Sequence, residues 1–425
     1  MSQEQDRRAA AEAAVAAHYA LLLGIGAPWR VKRAVLELPK NKVEIEVEWD
    51  PRAPVTCPQC GRECPRHDHA PERQWRHLDV MQFTTIIRAR VPRSRCEEHG
   101  VDTVRVPWAE PGSRFTLHFE AFAVQVIEAC RSLTQAADLL KLDWDSVQRI
   151  VERAVARGML RRSTEQVHRV GLDEKSFGRG QDYVSLMTDL DGARVLEVVA
   201  GRDKNSALAL WETIPTQQRD KIQAAAMDMG ANFTCATREA ATKAAIVHDR
   251  FHVSKHLNEA VDKVRREEHR RLLEAGDDSL SGTKYLWLRG AAPEGDRALT
   301  FEELCERNLK TARAWCHKET FVEFWIQGSA ERGAKFFQKW FGTVARSKLE
   351  PLKKVARTLK EHLSGLINYF THPITNALTE GFNSRIQAIK ADARGFRRFA
   401  NYRARILFHC GKLDMMPVIP CSVAH

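Results

Sequence analysis

The sequence has no run of roughly 18 uninterrupted apolar residues, the length a membrane-crossing helix needs. The Ala- and Leu-rich stretch from Ala9 to Gly26 comes nearest, but Asp6 precedes it and Glu12 and His18 interrupt it, so it reads as an amphipathic helix rather than a secretory leader. A disulfide framework is missing too. Of ten cysteines, Cys57, Cys60, Cys64 and Cys96 lie in the first hundred residues and the other six stand singly in apolar surroundings, which suits one metal site plus buried thiols. There is no internal repeat and no low-complexity tract. A chain without these features is expected to stay in the cytoplasm or on the nucleoid.

What is present points to a globular protein. The 425 residues suffice for two or three domains of about 100 to 200 residues each. With 44% hydrophobic and 28% charged residues the composition is that of a soluble chain. The net charge of +11 and a pI near 9.2 favour a polyanionic partner, because Lys and Arg displace counterions condensed on phosphates. Nucleic acid leads.

Periodicity divides the chain. Val43, Ile45, Val47 and Trp49 alternate with Glu44, Glu46 and Glu48, the pattern of a strand with one wet face. Together with Val31 to Leu38 and the Pro39-Lys40-Asn41 turn this predicts a hairpin, and Phe83 to Val91 another strand, so residues 1–110 form a helix, a hairpin and a small β-rich module. From Phe115 to Gly158 the period becomes helical and predicts three helices, giving a second domain over 111–162. Strands are then expected at Val167–Leu172, Tyr183–Thr188, Arg194–Ala200, Ile222–Met227 and Ala244–His248, with helices at Ala207–Ile214 and Ala231–Thr242. A charged helical stretch, broken at Gly276–Gly282 and Ala291–Asp296, carries Trp287, Trp315, Trp325 and Trp340, which are expected in a core rather than as platforms for a flipped base. One more helix, around Asn376–Lys390, and a basic tail close the chain.

Three motifs carry chemistry. Cys57-Pro58-Gln59-Cys60-Gly61 and Cys96-Glu97-Glu98-His99-Gly100 each offer two ligands three positions apart before a glycine, which suits a tetrahedral structural zinc held by Cys57, Cys60, Cys96 and His99. Cys64, His67 and His69 are spare candidates. Leu133 to Ile150 fits a helix-turn-helix, with Ala137 at the close crossing, Leu142-Asp143 in the turn, and Ser146, Gln148, Arg149 and Arg153 free to face a major groove.

The third motif is a set of acids. Asp173 follows an apolar strand in Val170-Gly171-Leu172-Asp173-Glu174, Asp228 does so in Ala226-Met227-Asp228, and Glu380 opens a polar stripe on the closing helix. Three such acids without a cation would repel by about 3 kcal/mol per pair at about 5 Å with an effective dielectric near 20. Hard oxygen donors suit magnesium or manganese, and two such ions about 4 Å apart can activate an attacking oxygen and stabilise a leaving one in phosphoryl transfer. After Glu380 come Arg385, Lys390, Arg394, Arg397, Arg398, Arg403 and Arg405 against Asp392, a solvated face by default and a phosphate track by position.

The order of zinc module, helix-turn-helix, "GLDEKSFGRGQDYVSLMTDL", "MDMGANF", "HDRFHVSKH", a helical insert and "TNALTEGFNSRIQAIKADARGF" resembles the ISL-three family of insertion-sequence transposases over Cys57 to Leu413. The resemblance implies a mixed α/β ribonuclease-H-like catalytic fold over 163–260, a helical insertion over 261–368, and the final catalytic helix and basic tail over 369–425. It implies that Asp173, Asp228 and Glu380 are a DDE triad holding two Mg2+ or Mn2+ ions. In the implied fold Asp249 lies one strand further out, roughly 10 Å from Asp173 at about 4.8 Å per strand. Asp249 is therefore expected to be a structural cap or DNA contact, His252 a packed or phosphate-facing histidine, and Glu174 to point away from Asp173. The expected activity is recognition of terminal inverted repeats followed by DNA cleavage and strand transfer, in a dimer or larger assembly, since two element ends must be held. A catalytically idle DNA-binding regulator and a structure-specific nuclease are the alternatives.

Overall fold

In the computed structural model, residues 2–164, 166–178, 182–290, 294, 296–307 and 309–419 are described. The chain divides into two compact units, one of residues 1–162 with 413–425, the other of residues 163–412.

The first unit opens with α1 (Ser2–Leu22) and a hairpin of β1 (Trp29–Glu37) and β2 (Lys42–Trp49). The alternating sequence of β2 buries Val43, Ile45, Val47 and Trp49, and Asn41 takes the left-handed conformation that ends the connecting turn. Short strands β3 (Val55–Thr56), β4 (Glu63–Cys64) and β5 (Arg66–His69) follow, then β6 (Arg73–Val80), β7 (Phe83–Ala89), β8 (Pro92–Cys96) and β9 (Gly100–Thr103). β7 lies parallel to β2, giving a four-stranded sheet in the order β1-β2-β7-β6. Trp29, Trp49, Trp75 and Trp108 meet edge to face in its core.

Three helices complete this unit: α2 (Leu117–Ala129), α3 (Leu133–Leu140) and α4 (Trp144–Arg161). Each is started by a side chain that accepts a hydrogen bond from a first-turn amide, from Thr116, Ser132 and Asp143 in turn. A buried ionic network ties the helices together. Glu120 accepts from Arg153 at 2.6 Å and from Arg157 at 2.9 Å, and Arg157 reaches Glu110 at 2.8 Å. The segment after residue 412 returns to α4. Arg157 donates to the Met415 carbonyl and Arg161 to that of Met416, and a Cβ on Gly158 would stand 2.5 Å from Leu413.

In the second unit β10 (Arg169–Ser176), β11 (Tyr183–Asp189) and β12 (Arg194–Ala200) form an antiparallel meander. Helices α5 (Lys204–Glu212) and α6 (Thr216–Arg219) lead to β13 (Ala224–Met227), and α7 (Ala231–Ala240) leads to β14 (Ala245–His248). β13 and β14 are parallel to β10, so the sheet order is β12-β11-β10-β13-β14. The small side chains of Ala224, Ala225 and Ala226 leave both faces of β13 free to be covered, and all three are buried.

A helical body follows: α8 (Arg250–Glu274), α9 (Lys284–Leu288), α10 (Asp296–Glu306), α11 (Lys310–Val322), α12 (Ala330–Arg346), α13 (Glu350–Glu361) and α14 (Leu363–Ile367). Trp287 and Trp340 lie in its core and Trp315 and Trp325 pack against it. The expected break over 291–296 falls mostly outside the described residues. The chain then forms α15 (Ala377–Asp392) and α16 (Phe399–Cys410).

Candidate active site and metal centres

The docking of α15 on β10 builds the acid site. On α15 and its N-cap, Asn376, Thr379, Glu380 and Asn383 fall three and four residues apart and so share one helical face. That face presses on β10 at Gly171. The Asn376 side chain donates to the Leu172 carbonyl at 3.1 Å, Thr379 shares a 2.8 Å hydrogen bond with Thr188 on β11, and Asn383 donates to the Asp173 carboxylate at 2.6 Å. A Cβ on Gly171 would stand 2.3 Å from the Thr379 hydroxyl and 2.7 Å from the Asn376 amide oxygen, so the approach requires glycine. None of Asn376, Thr379, Asn383 or Gly171 was assigned a role from the sequence. For Asn376, Thr379 and Asn383 the spacing around Glu380 is the signal that could have found them.

The acids repel one another in an enclosed setting. Burial pushes the Asp173 carboxyl up, and the negative charge of Asp228 adds to it. Glu380, in the first turn of α15, is likewise pushed up by burial, then by Asp249 and Asp173. Glu174 is raised by burial and by Asp228 and Asp173, so it stays within the field of the acids although it is the next residue of the strand. Asp228 sits just beyond β13, where its carboxylate accepts from the Gly230 amide at 2.8 Å and its carbonyl meets the His248 ring at 3.0 Å. Burial pulls His248 down to about 4, which keeps that ring neutral.

Asp249 departs from expectation. Its strand is indeed one beyond that of Asp228. Yet donor atoms of Asp249, His252 and Glu380 all lie within 4.8 Å of one another, because α15 crosses the strand ends and brings Glu380 over β14. Asp249 occupies the N-cap position of α8 but caps no amide of that helix, so its expected capping role is not seen. Its buried carboxylate instead faces the Asn376 amide at 3.4 Å and His252 at 3.5 Å. The His252 ring is raised by Asp249 beside it, with Asp228 and Asp173 adding to the effect, so it lies within the field of the carboxylates. Asp173 and Asp228 fall outside that tight group. The oxygen-rich donor set with its raised carboxyls fits a hard divalent cation, whose charge would remove the repulsion that burial intensifies.

The other cluster is of a different kind. Donor atoms of Cys57, Cys60, Cys96 and His99 lie within 4.8 Å of one another. Metal bonds of about 2.3 Å to sulfur and about 2.05 Å to nitrogen would put tetrahedral neighbours about 3.8 Å apart for two sulfurs and about 3.6 Å for sulfur and nitrogen. Cys60 and Cys96 are 3.8 Å apart, and the His99 Nδ1 stands 3.8 Å from Cys57 and 3.5 Å from Cys96. The four positions fit zinc. Gly61 and Gly100, at φ of 74° and 70°, supply the left-handed turns after each ligand pair. Hydrogen bonds from His99 and nearby amides hold the Cys96 thiol down to about 6. His67 and His69 are not in the cluster, and Cys64 lies at its margin with its thiol raised by burial and by Cys96.

Among the residues expected to read DNA, the structure separates two sets. Ser146 is buried and donates its hydroxyl to Asp143, and Gln148 is buried with its amide on Glu152. Arg153 is spent on Glu120. These three are not free to face a groove, because the helix buries their side of the surface; Arg149 is exposed. In the second unit Arg385, Arg394, Arg397 and Arg398 are exposed and Lys390 is half-buried beside the Ser176 carbonyl. Arg403 is paired with Glu197 and Arg405 is buried, its guanidinium pulled down to about 10 by burial, so neither belongs to a phosphate track.

Comparison with known proteins places this architecture. Residues 170–406 match a family profile described as a transposase, residues 53–99 one described as the zinc-finger of transposase IS204/IS1001/IS1096/IS1165, and residues 104–155 the helix-turn-helix domain of transposase family ISL3. The chain belongs to the ISL3 family of transposases. It is 24% identical over 350 residues to the transposase for insertion sequence element IS1001 of Bordetella parapertussis, covering 81% of this chain and 86% of the relative. It is 27% identical over 419 residues to the transposase for insertion sequence element IS1557 of Mycobacterium tuberculosis, covering 87% and 92%. No helix among the described residues is long and apolar enough to cross a membrane.

Proposed function

We propose that this transposase binds the terminal inverted repeats of its element through the zinc module and helix-turn-helix, and cuts and joins DNA at the acids of the second unit. Asp173, Asp228 and Glu380 would hold two Mg2+ or Mn2+ ions, which when bound supply charge stabilisation to an in-line phosphoryl transfer. Asn383 orients Asp173, and Asn376 fixes the Asp173 strand to the helix that carries Glu380. Asp249 and His252 stand against Glu380 and set its position. Zinc would be held by Cys57, Cys60, Cys96 and His99. The three antiparallel strands followed by two parallel ones support a ribonuclease-H-like reading of 163–260 and 369–425, with 261–368 as a helical insertion.

The carrying observation is the 2.6 Å hydrogen bond by which α15, the helix of the third acid, holds the first. A dimer or larger assembly, working on duplex DNA of the element ends and the target, follows from the need to hold two ends together. The test is Mg2+-dependent nicking of end DNA by the full chain. Nicking that disappears in Asp173→Ala with end binding intact is expected. Nicking that persists would remove the assignment, and a wild-type chain that binds ends without nicking would be a regulator. Cutting without joining to a target plasmid would make the protein a nuclease.

A further inference from the structure

A cavity of about 340 Å³ lies along α8, immediately after the acid cluster, and neither the acids nor the zinc site accounts for it. Its floor is a single helical face, with Phe251, Lys255, Asn258, Glu259 and Asp262 at spacings of three and four, and Lys284 and Leu288 of α9 form its wall. The volume is at the small end of the range of about 300–1,000 Å³ for pockets that enclose a ligand, enough for one nucleotide and not for a duplex.

The lining has a definite polarity. At the end nearest the acids Phe251 is 56% exposed, so one face of its ring is open to solvent. Its ring meets that of His252 edge to face at 5.8 Å, and His252 in turn stands 3.5 Å from Asp249. Phe251 is thus one ring removed from the acids. Lys255 and Lys284 are exposed and line the cavity, the Lys284 ammonium standing 5.6 Å from the Tyr285 ring. Deeper in, the Asn258 amide oxygen is buried without a hydrogen-bond partner and Glu259 adds an exposed acceptor, whereas the Asp262 carboxylate is taken by Arg265 and Arg266.

We infer that this cavity receives one unpaired nucleotide of the DNA end next to the cut. An exposed aromatic face offers stacking to any base. The two lysines offer cations to the flanking phosphates, and the Asn258 and Glu259 oxygens accept from N–H groups of the Watson–Crick edge, which only an unpaired base leaves open. The inference rests on the transposase reading for the source of the DNA, but its test does not need cleavage.

The experiment measures binding of the full chain to a duplex end, blunt or with a three-thymidine single-stranded extension, in Ca2+ by fluorescence anisotropy. Wild type is expected to favour the extended end by about tenfold, the scale of one base–aromatic stack. Phe251→Ala should abolish the preference while blunt-end binding stays, and Phe251→Trp should keep it. The double variant Lys255→Gln/Lys284→Gln should lower the salt dependence for the extended end alone, by about 0.7 per lost contact on a single strand. Equal binding of the two ends by wild type would overturn the inference, as would a loss shared equally by blunt and extended ends in the lysine variant. Failure of the transposase reading shows separately, as absence of nicking in Mg2+ with the extension preference intact.

Discussion

The two candidate metal centres assemble their ligands in opposite ways. Each zinc candidate pair comes from one short turn, and the two turns are joined within a module of under fifty residues matched as a zinc-finger. The acids come from within β10, which runs on past Asp173 instead of ending before it, from just beyond β13 and from a helix that begins at Ala377, with the whole helical body between the second and the third. The thiols and imidazole sit at the spacing a metal requires, whereas the carboxylates are held by hydrogen bonds to the backbone and to one another's neighbours against their own repulsion. A local centre depends on its ion for the fold around it. A long-range centre depends on the fold for its ion.

The largest effect that would break this contrast is on the zinc side. Removing zinc, by chelation or in Cys96→Ser, should unfold the β-rich module, since structural zinc contributes roughly 10 kcal/mol or more. Hydrogen exchange should show protection lost over residues 53–99 and kept in β10 to β14, and a module that stays protected without metal would erase the difference. On the acid side the corresponding break is steric. Gly171→Val should lift α15 from β10, because even a Cβ there meets the Thr379 hydroxyl at 2.3 Å, and nicking should fall below detection while end binding persists.

Smaller effects sharpen the contrast. His77 in the first unit and His409 in the second are both pulled down to about 4, chiefly by burial, and are neutral in the fold. Unfolding lets each take up a proton between about pH 6.5 and about pH 4, so the unfolded state binds more protons and stability falls as the pH falls through that window. Each contributes at most one proton, about 1.4 kcal/mol per pH unit. Removing His409 in His409→Phe should flatten the acid limb for the second unit only, read by hydrogen exchange at pH 5 and pH 7. The smallest change is Asn383→Ala, which deletes one hydrogen bond to Asp173 and should lower nicking by about 10- to 100-fold, with part of the loss recovered at high Mg2+. A loss that Mg2+ does not relieve would mean Asn383 acts on the fold rather than on the ligand.

How much of this was legible in the sequence follows the same division. The ligand pairs of the zinc module, the alternating strand Lys42–Trp49 and the strand at Arg194–Ala200 are local patterns, and they read directly. The strand order that puts Asp228 beside Asp173 was reached only through the family resemblance. What did not read were encounters between distant residues. Glu120 captures Arg153 and Arg157 from over thirty positions away, which turns two basic residues of a supposed reading helix inward. Arg405 looks like a member of a basic track and is buried. The reach of Glu380 to Asp249 depends on how α15 crosses the strand ends, a property of packing that no spacing along the chain encodes.

The return of Leu413 to Met416 onto α4 has a consequence for biosynthesis. The ribosome delivers the helix-turn-helix some 250 residues before the strand of backbone that Arg157 and Arg161 clasp, so the first unit reaches its final contacts only after the second has been made in full. A chain that stops anywhere within residues 163–412 therefore lacks the segment that Arg157 and Arg161 clasp, and leaves that side of α4 without its cover.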